Sequence, residues 1–106
     1  MTLDQLKELF EWCSDHDDEC EKLALKHQTT TRQDLDALKL LNTLCPAKAT
    51  YKGNAPDLIS AAEHDQIWFA TELEDLAAAA TKEQIKTLSG FGVWLDSNVD
   101  ALSMFV

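Results

Sequence analysis

The first 27 residues carry an apolar seam and an acidic stripe, and both repeat with the period of an α-helix. The seam recurs every three or four residues and consists of Leu3, Leu6, Phe10, Cys13, Asp17, Cys20 and Ala24. The stripe lies nearly opposite and consists of Asp4, Glu8, Glu11, Asp15 and Asp18. Because residues three and four positions apart share a helix face, the pattern predicts one amphipathic helix from about Leu3 to His27, with Thr2 as its N-cap. Asp17 interrupts its buried side.

The acidic stripe belongs to a strongly acidic chain, with 19 acids against 9 bases and a net charge of −10 in 106 residues. Such a surface attracts basic proteins and repels nucleic acids and anionic membranes. We therefore expect a protein partner with a basic surface, no direct nucleic-acid binding and no membrane binding. The predicted partner-binding residues are Asp4, Glu8, Glu11, Trp12, Asp15 and Asp18. The alternative is a solvated helix face that only keeps the protein in solution.

Two more helical segments follow the first helix. Thr31 with Asp34 resembles a capping box and opens a helix to about Leu44, which we expect to pack on the first helix as an antiparallel hairpin. Cys45-Pro46 ends it. Residues 46–55 form a loop, and a short helix is predicted from about Pro56 to His64.

The C-terminal third has the pattern of strands interleaved with helices. Strands are predicted at 67–70, 91–95 and 101–105, with a turn at 96–100. Two capping boxes start the intervening helices, and Gly90 fits a C-terminal stop. The boxes pair Thr71 with Glu74 and Thr81 with Gln84. The expected fold is a single α+β domain over 1–106, an N-terminal helical hairpin followed by a small three-stranded sheet, with an all-α fold as the alternative.

The final strand, Ala101 to Val106, is apolar apart from Ser103. It either lies centrally in the sheet or pairs with a strand of another chain, so a homodimer is one prediction. Trp12, Trp68, Trp94 and Tyr51 offer further contact area, because such side chains are enriched in interface hot spots. Their alternative role is core packing.

Cys13, His16 and Cys20 recur at i, i+3 and i+7, and zinc accepts these ligand types, with His27 or Cys45 as a fourth ligand. The two cysteines also fit the apolar seam as small buried residues. We favour packing and expect no metal and no cofactor. An odd number of cysteines, three in all, suits a reducing cytoplasm. The N-terminus has no signal-peptide pattern, and no segment is apolar enough to span a membrane.

No motif indicates an enzyme. A covalent mechanism needs a nucleophile, a base and an orienting group in one pocket, and three glycines leave no phosphate-binding loop. The paired acids Glu72 with Glu74 and Asp96 with Asp100 are expected to stabilise a helix start and a turn.

These features favour a small acidic, non-enzymatic binding protein. Carboxylates spaced by about 5 Å along a helix axis resemble the phosphates that a nucleic-acid-binding protein meets. We therefore expect an inhibitor or modulator that occupies the basic surface of such a protein, by analogy with the anti-defence proteins of phages and mobile elements. A self-associating structural or adaptor subunit is the second hypothesis. A zinc-binding domain built on Cys13, His16 and Cys20 is the third.

Overall fold

A computed structural model describes residues 1–46 and 58–106, which form five helices and one antiparallel sheet of four strands. The predicted α+β class is confirmed. The helices are α1 Leu3–Ser14, α2 Asp17–His27, α3 Gln33–Leu44, α4 Leu73–Ala79 and α5 Lys82–Gly90. The strands are β1 Ile59–Glu63, β2 Gln66–Phe69, β3 Trp94–Asp96 and β4 Ala101–Phe105. The sheet order is β1-β2-β4-β3.

The predicted helix from Leu3 to His27 is wrong as a single element, because α1 ends at Ser14 and α2 begins at Asp17. A continuous helix would place the Asp17 carboxylate in the buried seam, where an unpaired charge is costly. The break instead leaves Asp17 exposed in the first turn of α2, where a negative charge is favourable. The predicted N-cap is confirmed: Thr2 forms a reciprocal capping box with Gln5.

Helix α2 packs most extensively along α5, rather than in a hairpin with α3. Gly90 makes this approach possible. A Cβ atom built at Gly90 would lie 2.0 Å from the carbonyl oxygen of Cys20 and 2.8 Å from the Cβ of Ala24. The seam residues of α2 are small for the same reason: only small side chains let two helix backbones come this close.

Helix α5 begins and ends with recognisable capping motifs. The predicted capping box between Thr81 and Gln84 is confirmed. Helix α5 ends at Gly90, as predicted, with Phe91 as its C-cap. Gly92 has a φ of +102°, the left-handed region that glycine favours, and its N–H donates to Ser89 at 2.9 Å. The Val93 N–H donates to the Leu88 carbonyl at 3.0 Å, which completes a Schellman motif. Strand β3 therefore begins at Trp94 and not at residue 91.

The helix predicted from Pro56 to His64 is wrong over the residues described, because 59–63 form strand β1. It pairs antiparallel with β2 through a two-residue turn in which His64 has a φ of +54°. Ala61 and Ala62 are good helix formers, but pairing with β2 overrides a local propensity this weak. The predicted loop at 46–55, apart from Pro46, and Pro56 itself lie outside the described residues.

Strand β4 is central, with β2 on one side and β3 on the other. Residues 103–105 pair with β2 and residues 101–103 pair with β3, so β4 takes the central position that was one of its two predicted alternatives. Alternate residues of β2 and β4 point into the core between the sheet and the helices, where they are buried. These residues are Ile67, Phe69, Leu102 and Met104.

Two other predicted capping boxes are wrong. Helix α4 has Glu72 as its N-cap, and Thr71 is buried with no hydrogen-bond partner for its hydroxyl among the described residues. Helix α3 has Arg32 as its N-cap, and Asp34 pairs with the Arg32 guanidinium at 2.7 Å. This pairing raises the pKa of Arg32 and holds the pKa of Asp34 below its usual value.

The α2–α3 turn is fixed by the buried carboxylate of Asp36. It accepts hydrogen bonds from the Thr29 hydroxyl at 2.7 Å and from the backbone N–H groups of Thr29 and Thr30 at 3.2–3.3 Å. Burial raises the pKa of Asp36, but the hydrogen bonds outweigh burial and hold the pKa below the ordinary 3.8. The charged carboxylate is therefore the form that stabilises the fold.

Replacing Gly90 by Ala should lower the free energy of unfolding by about 1–3 kcal/mol, because the new methyl group overpacks the α2–α5 contact. The direction of the change in stability is informative, since at an unconstrained helix position alanine stabilises by about 1 kcal/mol relative to glycine. Urea denaturation measures the change. Lys82→Ala, at an exposed position of the same helix, is the control and should shift stability by less than about 0.5 kcal/mol. A stabilised Gly90→Ala protein would contradict the close approach.

Replacing Asp36 by Asn should cost about 1–3 kcal/mol at pH 7, because the amide cannot satisfy three donors as a carboxylate does. Because the pKa of Asp36 is lower in the folded than in the unfolded protein, its charge stabilises the fold at pH values above the unfolded pKa. That stabilisation is lost as the pH falls through the folded pKa. The difference between the two proteins should therefore shrink below about pH 4. Urea denaturation at pH 7 and pH 3 measures it, with Glu21→Gln, an exposed acid in the middle of α2, as control. A difference that does not change with pH would exclude the charged carboxylate as the cause.

Candidate protein-binding surfaces

An acidic face runs along the exposed side of α1 and consists of Asp4, Glu8, Glu11 and Asp15. Asp15 is the C-cap residue of α1, and all four side chains are exposed. None of the four carboxylates has a hydrogen-bond or ion-pair partner among the residues described. The sequence predicted these four positions on one side of a helix, and the structure places them there up to the end of α1.

Asp18 is separated from the acidic face. It lies in the first turn of α2, beside Asp17 and Glu19. Because α1 and α2 are distinct helices, the spacing in the sequence no longer fixes Asp18 on the same side as Asp15. Three acids at a helix N-terminus stabilise that end of the helix, which gives Asp18 a local structural role.

Trp12 is engaged within the protein, although its position borders the acidic face. Its ring stacks on the His16 ring with centroids 3.8 Å apart, and the Lys86 ammonium lies 4.4 Å from the ring centroid. The Nδ1 atom of His16 also lies 2.7 Å from the Trp12 carbonyl oxygen. Trp12 thus connects α1, the α1–α2 turn and α5. The structure assigns it a packing role in addition to the predicted contact with a partner.

Cys13, His16 and Cys20 do not converge on one point. Both cysteines are buried, whereas the His16 ring is exposed and lies against Trp12. Within residues 1–46 and 58–106 no three His, Cys, Asp or Glu side chains are grouped to hold a metal ion. Burial and the neighbouring Cys20 raise the pKa of Cys13 to about 12, so its thiol stays protonated at neutral pH.

Two of the paired acids of the C-terminal half, Asp96 and Asp100, have structural partners, and the other two stand at a helix start. Asp96 accepts hydrogen bonds from the Trp68 indole at 3.2 Å and from the Asn98 N–H at 3.1 Å. Asp100 pairs with Lys7 at 3.2 Å, which ties the β3–β4 turn to α1. Glu72 and Glu74 lie at the start of α4. The contacts of Asp96 and Asp100 and the positions of Glu72 and Glu74 favour the structural roles expected for the four acids.

The outer face of the sheet, turned away from the buried core residues, carries aromatic side chains. Trp68 and Trp94 both pair with Ser103 in the register, one on each side of β4. Trp94 stacks on Phe105 with ring centroids 5.9 Å apart, and Phe105 is 68% exposed. The sequence indicated the two tryptophans, but it did not identify Phe105. Phe105 could have been found from the alternation of side chains along β4, which puts residues 101, 103 and 105 on one face once the strand limits are known.

A cleft joins the acidic face to this aromatic surface. It has a volume of about 520 Å³ and lies between α1 and the β3–β4 hairpin, with Glu11 and Trp94 among its lining residues. The carboxylates of α1 and the aromatic rings of the sheet are therefore neighbouring parts of the surface.

No family model, curated protein or solved structure matches this chain. Among the helices described, none is both long enough and apolar enough to cross a membrane.

The three cysteines should differ in reactivity toward iodoacetamide in the native protein, as measured by mass spectrometry of the digested chain. Cys45 is half-buried and should be alkylated first, whereas Cys13 and Cys20 are buried and should react only after denaturation. The control is the same reaction in 6 M guanidinium chloride, where all three should be labelled. Alkylation of Cys13 at the rate of Cys45 in the native state would contradict the packing described.

Proposed function

We propose that this protein is a small acidic, non-enzymatic binding protein that occupies a basic surface of a nucleic-acid-binding protein. Such a protein acts as an inhibitor or modulator, of the anti-defence type found in phages and mobile elements. The observation that carries the proposal is the acidic face of α1, with four exposed carboxylates that have no partner among the described residues.

The position of the acidic face is fixed by the buried side chains on the opposite side of α1. Leu6 and Cys13 are fully buried and Phe10 is nearly so. The N-terminal ammonium group of Met1 also donates a hydrogen bond to the Ala77 carbonyl at 2.9 Å, which fixes the start of α1 on α4. A rigid face loses little conformational entropy on binding, and unpaired carboxylates break no internal ion pair when they meet a basic partner.

A cytoplasmic location is part of the proposal. Cys13, Cys20 and Cys45, all of them described, form no disulfide bond, as expected in a reducing compartment.

Self-association is the second candidate, supported by the exposed apolar side chains of Phe105 and Val106. Because β4 is central in the sheet, the outer face that carries Phe105 is the surface through which we expect two copies to meet. The two candidates respond differently to salt. Added salt screens the attraction between an acidic and a basic protein, whereas it screens the repulsion between two copies that each carry a charge of −10.

Changing Glu8→Gln, Glu11→Gln and Asp15→Asn together should slow association with the native partner by about tenfold at low salt, since electrostatic steering depends on these charges. The partner is first captured from a nuclease-treated host lysate, and binding is then measured by surface plasmon resonance at several salt concentrations. We expect a basic protein whose binding is displaced by duplex DNA. The variant should also show a shallower salt dependence.

The matched control is Glu72→Gln, Glu74→Gln and Glu83→Gln, three exposed acids on α4 and α5. Both variants change the net charge by the same amount, so only the acidic face distinguishes them. If the two triple variants bind alike, or if nucleic acid does not compete, the proposal is wrong.

A further inference from the structure

A second concave site lies on the outer face of the sheet, beside the β1–β2 turn. It is a cleft of about 420 Å³, and we name it the sheet-face cleft. The register places Glu63, Gln66 and Phe105 in one row across β1, β2 and β4. Trp68 and Ser103 form the next row. The cleft is lined by Glu63, His64, Asp65, Gln66, Trp68 and Phe105.

The walls of the cleft are fixed by contacts within the protein. The Gln66 amide donates to the Ser103 hydroxyl at 2.7 Å, and that hydroxyl donates to the Ile67 carbonyl at 2.9 Å. The Trp68 indole N–H is held by Asp96, and the ring of Phe105 stacks on Trp94. The two aromatic walls are thus ordered before a ligand arrives, so binding does not have to order them.

The end of β4 is also fixed at the rim of the cleft. The backbone N–H of Val106 donates to the Asp65 carbonyl at 2.7 Å, which ties the residue after Phe105 to the β1–β2 turn. This contact holds the end of β4 against the β1–β2 turn, whose residues His64 and Asp65 line the cleft.

The chemistry of the cleft selects a planar cation. Its lining combines two aromatic residues, Trp68 and Phe105, with two acids, Glu63 and Asp65. Among the residues that the structure describes, no lysine or arginine belongs to its lining, and the histidine there, His64, is 89% exposed and lies 3.8 Å from Glu63. A guanidinium group stacks on aromatic faces and donates up to five hydrogen bonds to carboxylates, whereas an ammonium group is more strongly hydrated and does not stack.

We propose that the sheet-face cleft binds an arginine side chain of the basic partner. The inference rests on the proposed function, since it takes the partner to be basic, and it adds a second, side-chain-specific contact to the acidic face of α1. The acidic face supplies long-range attraction, and the sheet-face cleft distinguishes arginine from lysine.

The test is a titration of ¹⁵N-labelled protein with the peptide acetyl-Gly-Arg-Gly-amide, followed by NMR. The three tryptophans give three indole N–H signals, which separate the cleft (Trp68) from the acidic face (Trp12). We expect saturable shifts of the Trp68 indole and of the backbone amides of residues 63–66. The peptide with lysine in place of arginine should bind several-fold more weakly. The peptide with citrulline, a neutral group of the same shape, should not bind.

Variants then assign the binding to the residues of the cleft. Phe105→Leu removes the exposed ring and keeps an apolar side chain, and it should weaken binding about two- to fivefold. Glu63→Gln should weaken it similarly. The control is Leu25→Ala, which removes another side chain that is 68% exposed, on α2, and should leave binding unchanged. Circular dichroism confirms that each variant is folded.

Shifts confined to Trp12 and the α1 amides, or equal binding of arginine and citrulline peptides, would overturn the proposal. Failure here is distinguishable from failure of the proposed function. If the peptide does not bind the sheet-face cleft while the acidic-face variant still slows binding of the partner, only the proposal for the sheet-face cleft is refuted. If neither the cleft variants nor the acidic-face variant changes partner binding, both proposals fall.

Discussion

The close approach of α2 and α5 at Gly90 is the constraint on which the rest of the structure depends. The Cys20 carbonyl leaves no room for a side chain at residue 90, so the two backbones are in direct contact. Helix α5 also contacts α1 and leads through the Gly92 turn into β3. Its position therefore sets both the helical layer and the edge of the sheet. The same contact explains why small residues, Cys20 and Ala24, occupy this side of α2, since a larger side chain would separate the helices.

This arrangement leaves two surfaces without packing duties. Helix α1 uses Leu6, Phe10 and Cys13 for the core, so its acidic side is turned to solvent. The sheet packs through Ile67 and Leu102, so the opposite face is free to carry aromatic side chains. Successive side chains of a strand point to opposite faces of the sheet, and the side chains on one face of a helix recur about every 3.6 residues. Packing on one side thus determines which residues remain for binding on the other.

Much of the fold follows from local patterns, whereas the misplaced boundaries depend on contacts distant in sequence. The N-cap at Thr2 and the capping box at Thr81 are local, and both were predicted. The break after Ser14 depends on the cost of burying Asp17, and a seam pattern does not reveal whether a helix will tolerate that charge. Strand β1 depends on pairing with β2, which overrides the helix preference of Ala61 and Ala62. Gly90 ends α5 as predicted, but its contact with the Cys20 carbonyl was not predictable, because a sequence does not show a neighbouring backbone.

The candidate site was predictable where exposure follows from the helix period, and not where it depends on which face of a strand the core covers. The acidic face required only the spacing of four carboxylates. Phe105 required the register of β4, because a shift of one residue would bury it. The two surfaces share one electrostatic preference, since carboxylates border both the helix and the aromatic rings. Two copies brought together through either surface would oppose like charges, whereas a basic partner would satisfy both surfaces at once. Charge and geometry together therefore favour a complex with a different, basic protein over self-association.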